Sequence, residues 1–228
     1  MKRLAVDTAT EACSVALDVD GTVVQRWVEA PREHGDRIIG MIDEVLAEGG
    51  VARSEIDQIV FGRGPGAFTG VRIAAGLVQG LASALDRPVV PVSTLAALAQ
   101  GALRRHGDTQ VLAAIDARMG EVYWGMYQRD DAGAMAAVDE ECVSLPEAVP
   151  LPQDGGWAGV GTGWARYPDA LARRTAGVLR HDRGHALPEA RDMLVLAEGV
   201  AERGGAVTAS EALPVYLRDR VAERPRQR

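Results

Sequence analysis

Aromatic residues are the first thing this chain lacks. Phe, Trp and Tyr make up 4% of its 228 residues, two Phe, four Trp and four Tyr, so Ala, Val, Leu and Gly must fill the interior. Cysteine is nearly absent too. Cys13 and Cys142 are far apart and form no C-x-x-C, which leaves two free thiols, the usual state in a reducing compartment. No apolar run reaches membrane-spanning length, and Met1 to Leu17 has no apolar core of a secretory signal. A soluble, cytoplasmic protein that meets no membrane is expected. Positive charge is short: 25 Lys and Arg stand against 32 Asp and Glu, a net of −7. Such a surface does not invite nucleic acid, and a chain of this balance acting on RNA needs a partner to supply basic surface. Missing as well are H-E-x-x-H, G-x-G-x-x-G, a Walker Lys-Ser or Lys-Thr and any Ser-His-Asp or Cys-His set, so nothing supports hydrolase chemistry.

What the chain has is length enough for one large domain or two lobes with a real core, and an ordinary hydrophobic content of 47%. It is organised around Arg63 to Leu85. Ile59-Val60-Phe61 leads into Gly62, Gly64, Pro65 and Gly66, and a long apolar segment follows, which reads as strand, tight loop and helix. Val71, Ala74, Ala75, Val78 and Leu81-Ala82 recur at helical spacing, and Thr69 is placed to cap the helix. Gly76, Gly80 and Ala84 lie four apart on a neighbouring face. Glycine inside a helix costs ~1 kcal/mol relative to alanine, so this stripe suggests another backbone passing close by. The loop itself reads either as a phosphate cradle at a helix N-terminus or as a close-packed turn.

The rest of the first half alternates strands and helices. Leu4-Ala5-Val6 ends in Asp7-Thr8-Ala9-Thr10, Ser14 to Asp18 forms a second strand, and Asp20-Gly21 turns into a third from Thr22 to Glu29. Pro31 to Glu48 carries Ile38, Ile39, Met41, Ile42, Val45 and Leu46 on one broad helical stripe, stopped by Gly49-Gly50. His34 reads as a solvated first-turn residue. Ser54 to Asp57 is a single turn, Val89 to Val92 a strand, and Ser93-Thr94 cap a helix to about His106. Gly107-Asp108 marks a boundary, giving a first lobe at 1–107 and a second at 108–228, whose last helix can pack back on the first.

Beyond that boundary the pattern restarts. Leu112 to Asp116 is a strand ending in aspartate, Ala117 to Gly120 a turn, and Glu121 to Tyr127 a second strand, repeating the order at Leu4 to Leu17. A repeat spaced by more than one hundred residues means two related lobes, unless two strands end in Asp by chance. Asp130 to Met135 is a turn, Cys142 to Asp154 a loop-rich stretch, Pro168 to Arg174 a helix and Pro188 to Arg203 a last helix. Gly159, Gly161 and Gly163 suit either the close approach of a ligand or a bare strand-to-helix turn. His181 and His185 stand at metal-pair spacing, but the stretch is loop-like and no third ligand accompanies them. The tail after Leu217 holds five arginines against two acids, able to touch a phosphate backbone or to be a solvated terminus.

Two aspartates at strand ends, one per lobe, suggest an α/β, two-lobed actin/Hsp70/sugar-kinase-like (ASKHA) fold, its duplicated mixed-sheet lobes flanked by helices. In that architecture such aspartates hold Mg²⁺ and phosphates. Here Arg118 and Met119 crowd the second aspartate where backbone N–H is wanted, and the half-site looks degraded.

Six stretches, Asp7 to Thr10, GRGPGAFTGVR at 62–72, Val92 to Leu95, Asp116 to Tyr123 (DARMGEVY), Gly159 to Gly163 and Pro214 to Arg218, closely resemble the TsaB (YeaZ) family in family order. The resemblance implies a non-catalytic scaffold for TsaD, the catalytic paralogue that transfers a threonylcarbamoyl group to the adenosine at tRNA position 37. The metal-binding histidines of TsaD fall by motif register on Thr94 and Leu98, which cannot replace them. It implies that helices at 37–46 and 69–85 pack against their equivalents in TsaD, or in a second copy of this chain when TsaD is absent. The partner interface is then Ile38, Ile39, Met41, Ile42, Val45, Val71, Arg72, Ala75, Gly76, Gln79 and Gly80, with an exposed apolar face along 38–46. Asp7, Thr8, Thr10, Asp116, Gly161 and Gly163 would line a vestigial nucleotide cleft. No catalytic residue, metal ligand or cofactor of its own is expected; ATP or ADP with Mg²⁺, the ATPase TsaE and tRNA enter only through the complex. Many members carry a His-Ser pair followed by leucines where this chain has Glu33 to Arg37.

Overall fold

The structure, a computed structural model of the chain, describes residues 1–218. The first strands follow the alternation in the sequence. In β1 (Lys2–Asp7), Leu4 and Val6 enter one core and Ala5 another. Strand β2 (Ala12–Val19) pairs antiparallel with it and with β3 (Thr22–Glu29). Asp20 and Gly21 join β2 to β3 with φ of 51° and 92°, the paired left-handed turn that a right-twisted hairpin favours. Helix α1 (His34–Glu48) crosses back to β4 (Gln58–Gly62), parallel to β1. Helix α2 (Phe68–Leu85) leads to β5 (Val89–Val92), parallel to β4. The first sheet is thus ordered β3-β2-β1-β4-β5.

Helix α3 (Thr94–His106) is capped as expected, Ser93 Oγ accepting from the Leu95 and Ala96 amides at 3.2 and 3.3 Å. The pattern then repeats. Strands β6 (Gln110–Arg118), β7 (Glu121–Arg129) and β8 (Met135–Ala137) form an antiparallel meander, and β9 (Cys142–Ser144) also pairs with β7. Strand β10 (Trp157–Val160), helices α4 (Thr162–Arg166) and α5 (Pro168–Thr175) and strand β11 (Leu179–Arg183) follow, with β10 parallel to both β6 and β11. The second sheet runs β11-β10-β6-β7-β8, the strand order of the first. The resemblance between Leu4–Leu17 and Leu112–Tyr127 therefore extends to five strands in each half.

Helix α6 (Ala190–Glu202) completes the layers. Helices α1 and α2 cover one face of the first sheet, α3 and α6 lie between the sheets, and α4 and α5 cover the far face of the second. In β6, Val111, Ala113 and Ile115 face the shared middle layer, while Leu112 and Ala114 face the core holding Trp124, Trp157 and Trp164. Three of the four tryptophans are gathered there. Polar ties fasten the middle layer: Arg3 grips Asp18 through two nitrogens at 3.0 and 2.6 Å and reaches Glu198 at 2.9 Å. Arg104 holds Asp192 at 2.6 and 2.9 Å.

Several local expectations are corrected. Thr69 does not cap α2; it lies inside the helix, which starts after Ala67, because the Ala67 amide is anchored to the Ala9 carbonyl at 2.7 Å. His34 is not solvated. It is buried, with Nε2 unpartnered. His181 sits on a strand and His185 on the exposed loop after it, so the two do not share a helix face. The short strands β8 and β9 lie where turn and loop were expected. Helix α2, 18 residues at a mean hydropathy of 1.3, is long and apolar enough to cross a membrane, contrary to the reading of the runs, yet one face of it lies on the first sheet. Among the described residues it stands alone in this. Cys13 and Cys142 are free thiols. The arginine-rich tail lies outside the described residues except for Arg218.

Candidate functional site

The first aspartate turn is filled by the chain itself. Asp7 Oδ1 accepts the Ala9 amide at 2.6 Å, and Oδ2 is buried with no partner. A Cβ placed on Gly62 would come within 2.6 Å of that oxygen, so Gly62 is glycine because the carboxylate leans on it. Burial raises the Asp7 pKa to about 6, against the lowering effect of the Ala9 amide. Thr8 Oγ1 donates to the Gly70 carbonyl at 2.7 Å, and Thr10 Oγ1 accepts the Ala12 amide at 3.2 Å. The glycines of the α2 loop receive this turn. A Cβ on Gly66 would lie 2.2 Å from the Ala9 carbonyl oxygen, and one on Gly70 2.0 Å from that of Thr8.

The second turn is filled in a different way. Asp116 accepts the Arg118 amide at 2.9 Å and the Arg118 guanidinium at 2.8 Å, and Tyr167 Oη donates to it at 3.3 Å. Arg118, Met119 and Gly120 are consecutively left-handed, with φ of 62°, 56° and 83°. Two non-glycine residues in that region cost about 1 kcal/mol or more each, which the Asp116 contacts offset. Gly161 and Gly163 serve internal packing. Their Cβ positions would lie 2.4 Å from the Ala114 carbonyl oxygen and 2.8 Å from the Ala114 Cβ, and that of Gly159 2.5 Å from the Trp164 ring. These glycines form a close-packed turn, and no open cradle for a ligand is left at them.

A nucleotide with Mg²⁺, which the fold family implies, does not fit these residues as they stand. Both glycine cradles hold protein backbone, one aspartate is buried behind Gly62, and the other carries an arginine. Thr94 and Leu98 are buried, Leu98 in the middle core. Among the described residues no three His, Cys, Asp or Glu side chains gather as a metal site. The two halves meet near the α2 loop through a polar group that the sequence reading missed. Buried Tyr127 donates to Glu141, which Arg63 approaches at 3.4 Å, and Ser93 Oγ lies 3.5 Å from the phenol. Burial, then Glu141, holds the Tyr127 phenol well above its ordinary pKa. Nothing in the sequence pairs Glu141, on an irregular segment, with a strand residue fourteen positions earlier.

The helix faces need a correction as well. Ile38, Met41, Ile42 and Val45 are not an exposed apolar face; they are buried in the first core with Val15, Leu17 and Ile59, since the stripe of α1 covers its own sheet. Ile39 alone of that set is open, 54% exposed. On α2, Val71 and Ala75 are buried, Gln79 is half-buried and donates to the Ala212 carbonyl at 3.0 Å, and Arg72, Gly76 and Gly80 are exposed. A Cβ on Gly76 or Gly80 would meet nothing within 4 Å, so among the described residues no backbone from outside the helix occupies the notch. Arg72 stands over the Phe68 ring at 3.5 Å and donates to Tyr216 Oη at 2.8 Å. The outer surface of α2 thus joins Phe68, Arg72 and two glycines that its own fold leaves unused.

Comparison with known proteins gives one consistent result. Residues 28–225 match the model of the family described as "TsaD: tRNA N6-adenosine threonylcarbamoyltransferase". The chain is 49% identical over 225 residues to the tRNA threonylcarbamoyladenosine biosynthesis protein TsaB of Escherichia coli K12, covering 97% of this chain and 96% of that one. It is 42% identical over 226 residues to the protein of the same name in Haemophilus influenzae, covering 96% and 94%. The solved structure named YeaZ from Pseudomonas aeruginosa superimposes with a TM-score of 0.89 at 50% identity, over 95% of this chain and 99% of that one.

Proposed function

The chain belongs to the TsaB (YeaZ) family, and from that membership we propose that it serves tRNA threonylcarbamoyladenosine formation as a non-catalytic partner of a TsaD-type transferase. In this reading the chain supplies a surface and no chemistry. The observation that carries it is the contrast between its two regions. Among the described residues both aspartate turns and the glycines beside them are closed by the chain's own atoms, while α2 keeps a glycine-notched outer face where a Cβ would meet nothing. Glycine at helix positions 76 and 80 lowers helix stability for no internal gain, which a helix of another chain packed at close distance would repay.

The interface then consists of Ile39, Arg72, Gly76 and Gly80, together with Phe68, while Ile38, Met41, Ile42, Val45, Val71 and Ala75 support it from below. The same face would hold a second copy of the chain when the transferase is absent. ATP or ADP with Mg²⁺, the ATPase TsaE and the tRNA belong to the assembled complex, in the cytoplasm, and this subunit needs no cofactor of its own. The net charge of −7 fits a scaffold that leaves the tRNA to its partner. The test is reconstitution. Purified TsaD-type transferase should modify tRNA only when this chain is added, and the chain alone should turn over neither nucleotide nor threonylcarbamoyl donor. Equal modification without it would sink the proposal.

A further inference from the structure

The segment after the short helical turn at Ala209–Glu211 leaves the first core at Ala212, and from Leu213 on it does something that neither lobe requires for its own core. From Ala212 to Arg218 the chain runs along α2, crosses the Arg63–Gly64 loop and ends on the turn between β6 and β7. Gln79 donates to the Ala212 carbonyl at 3.0 Å, the Val215 amide donates to the Arg63 carbonyl at 2.8 Å, and Arg72 donates to Tyr216 Oη at 2.8 Å. The Tyr216 ring stands 6.1 Å from that of Phe68. Arg218 then bonds Glu121 and reaches the Arg118 carbonyl at 3.4 Å and Met119 Sδ at 3.5 Å. Gly64, with a φ of +91°, makes the crossing close: a Cβ there would come within 3.3 Å of the Val215 carbonyl oxygen.

Short polar links between the halves lie in the middle layer, where the Met135 amide donates to Gln100 Oε1 at 2.9 Å and Arg104 holds Asp192, whereas three others are longer. Arg118 is 3.6 Å from Glu11, Arg63 3.4 Å from Glu141, and Ser93 3.5 Å from Tyr127. Pairs that long, the first of them exposed to solvent, resist little change of angle between the sheets on this side. The segment's bonds to Gln79, Arg63 and Arg72, at 2.8 to 3.0 Å, and that of Arg218 to Glu121 are shorter, and the one at Arg63 joins backbone to backbone. Phe68, Leu213, Tyr216 and Met119, large apolar side chains left exposed, lie along the segment or at its two anchorages.

We infer that Leu213–Arg218 is a strap that fixes the angle between the two lobes and connects the outer face of α2 to the β6–β7 turn. Pressure on Phe68 and Arg72 is passed through Tyr216 to Arg218 and so to Glu121, which lets an event on the α2 face set the lobe angle. The strap stands on intramolecular contacts; only its response to a partner rests on the function proposed above.

The test measures the distance between spin labels on Ala47→Cys of α1 and Ala172→Cys of α5, in a full-length Cys142→Ser chain. Tyr216→Ala with Arg218→Ala should broaden the distance distribution about twofold, as expected when a restraint on a two-lobed protein is removed. A chain ending at Arg218 should keep the parent's narrow distribution. If the double variant loses its native circular dichroism, Tyr216→Phe with Arg218→Gln replaces it, with the same broadening expected. A distribution that superimposes on the parent's, or a chain ending at Arg218 that broadens as much as the double variant, overturns the strap. Adding a TsaD-type transferase to the parent should shift the mean distance. Failure of that protein to bind at all counts against the proposed function and leaves the strap to be decided by the variants.

Discussion

Asp7 and Gly62 press against each other on adjacent parallel strands, the carboxylate Oδ2 lying 2.6 Å from where a Gly62 Cβ would be. A charged oxygen is thereby buried without a hydrogen bond, an arrangement that destabilises the fold at any pH where the group is ionised.

Asp7→Asn should therefore gain stability relative to the parent as pH rises. Burial lifts this carboxyl from 3.8 to about 6, so the folded state binds the proton more tightly than the unfolded one. Its contribution is fully present below pH 3.8 and is lost as pH rises through about 6. The whole change corresponds to about 3 kcal/mol. Urea unfolding of both proteins from about pH 4 to pH 7 should show the difference moving in favour of Asn by most of that amount; a constant difference would remove the buried charge from the account.

Two pairs of glycines in one segment should respond to alanine in opposite directions. Gly66→Ala and Gly70→Ala drive a methyl into backbone carbonyl oxygens and should cost about 3 kcal/mol or more, lowering the urea midpoint. Gly76→Ala and Gly80→Ala meet open space and should stabilise the isolated chain by about 0.5 to 1 kcal/mol through helix propensity. If the α2 face is the docking surface, the same two variants weaken binding to the partner, as calorimetric titration would read.

A charge at Gly80 and one at Ile42 should not behave alike. Ile42 is buried in the first core, so Ile42→Glu unfolds the lobe and says nothing about a partner. Gly80→Glu leaves the monomer folded, with near-parent circular dichroism, and abolishes co-elution with the transferase. A folded Gly80→Glu chain that still co-elutes would place the interface elsewhere.

Arg104→Ala strips the cation from Asp192, whose side chain is 1% exposed, and should cost about 3 kcal/mol. The double variant with Asp192→Ala should recover part of that loss, since no buried carboxylate is left unpaired. Thermal unfolding of the four proteins in the cycle gives the coupling; additive effects would mean that the pair does not hold α3 to α6.

Patterns within ten or so residues were legible in the sequence because local chemistry sets them. Asp20-Gly21 is a turn because both positions need left-handed backbone, Ser93 is a cap because its hydroxyl reaches two amides, and the 3.6-residue spacing of the α1 stripe marks a helix. The repeat of strand, aspartate, turn and strand was readable in the same way, and it announced a duplication that the sheets carry through five strands. What each such feature packs against was not written in it. The stripe at 38–46 was expected to face a partner and instead covers its own sheet, and Gly161 and Gly163 suited either a ligand or a close-packed turn.

Only the tertiary structure decided between those occupants, because burial and contact depend on segments distant in the chain. Ala9 stops at Gly66, Trp164 at Gly159 and Val215 at Gly64. The sequence by itself determined the main helices and the longer strands, though not the short strands β8, β9 and β11, and that the halves are related. The fold determined that both aspartate turns are closed by the chain's own atoms, and that among the described residues nothing fills the notch at Gly76 and Gly80, since packing between remote segments leaves no periodic trace to read.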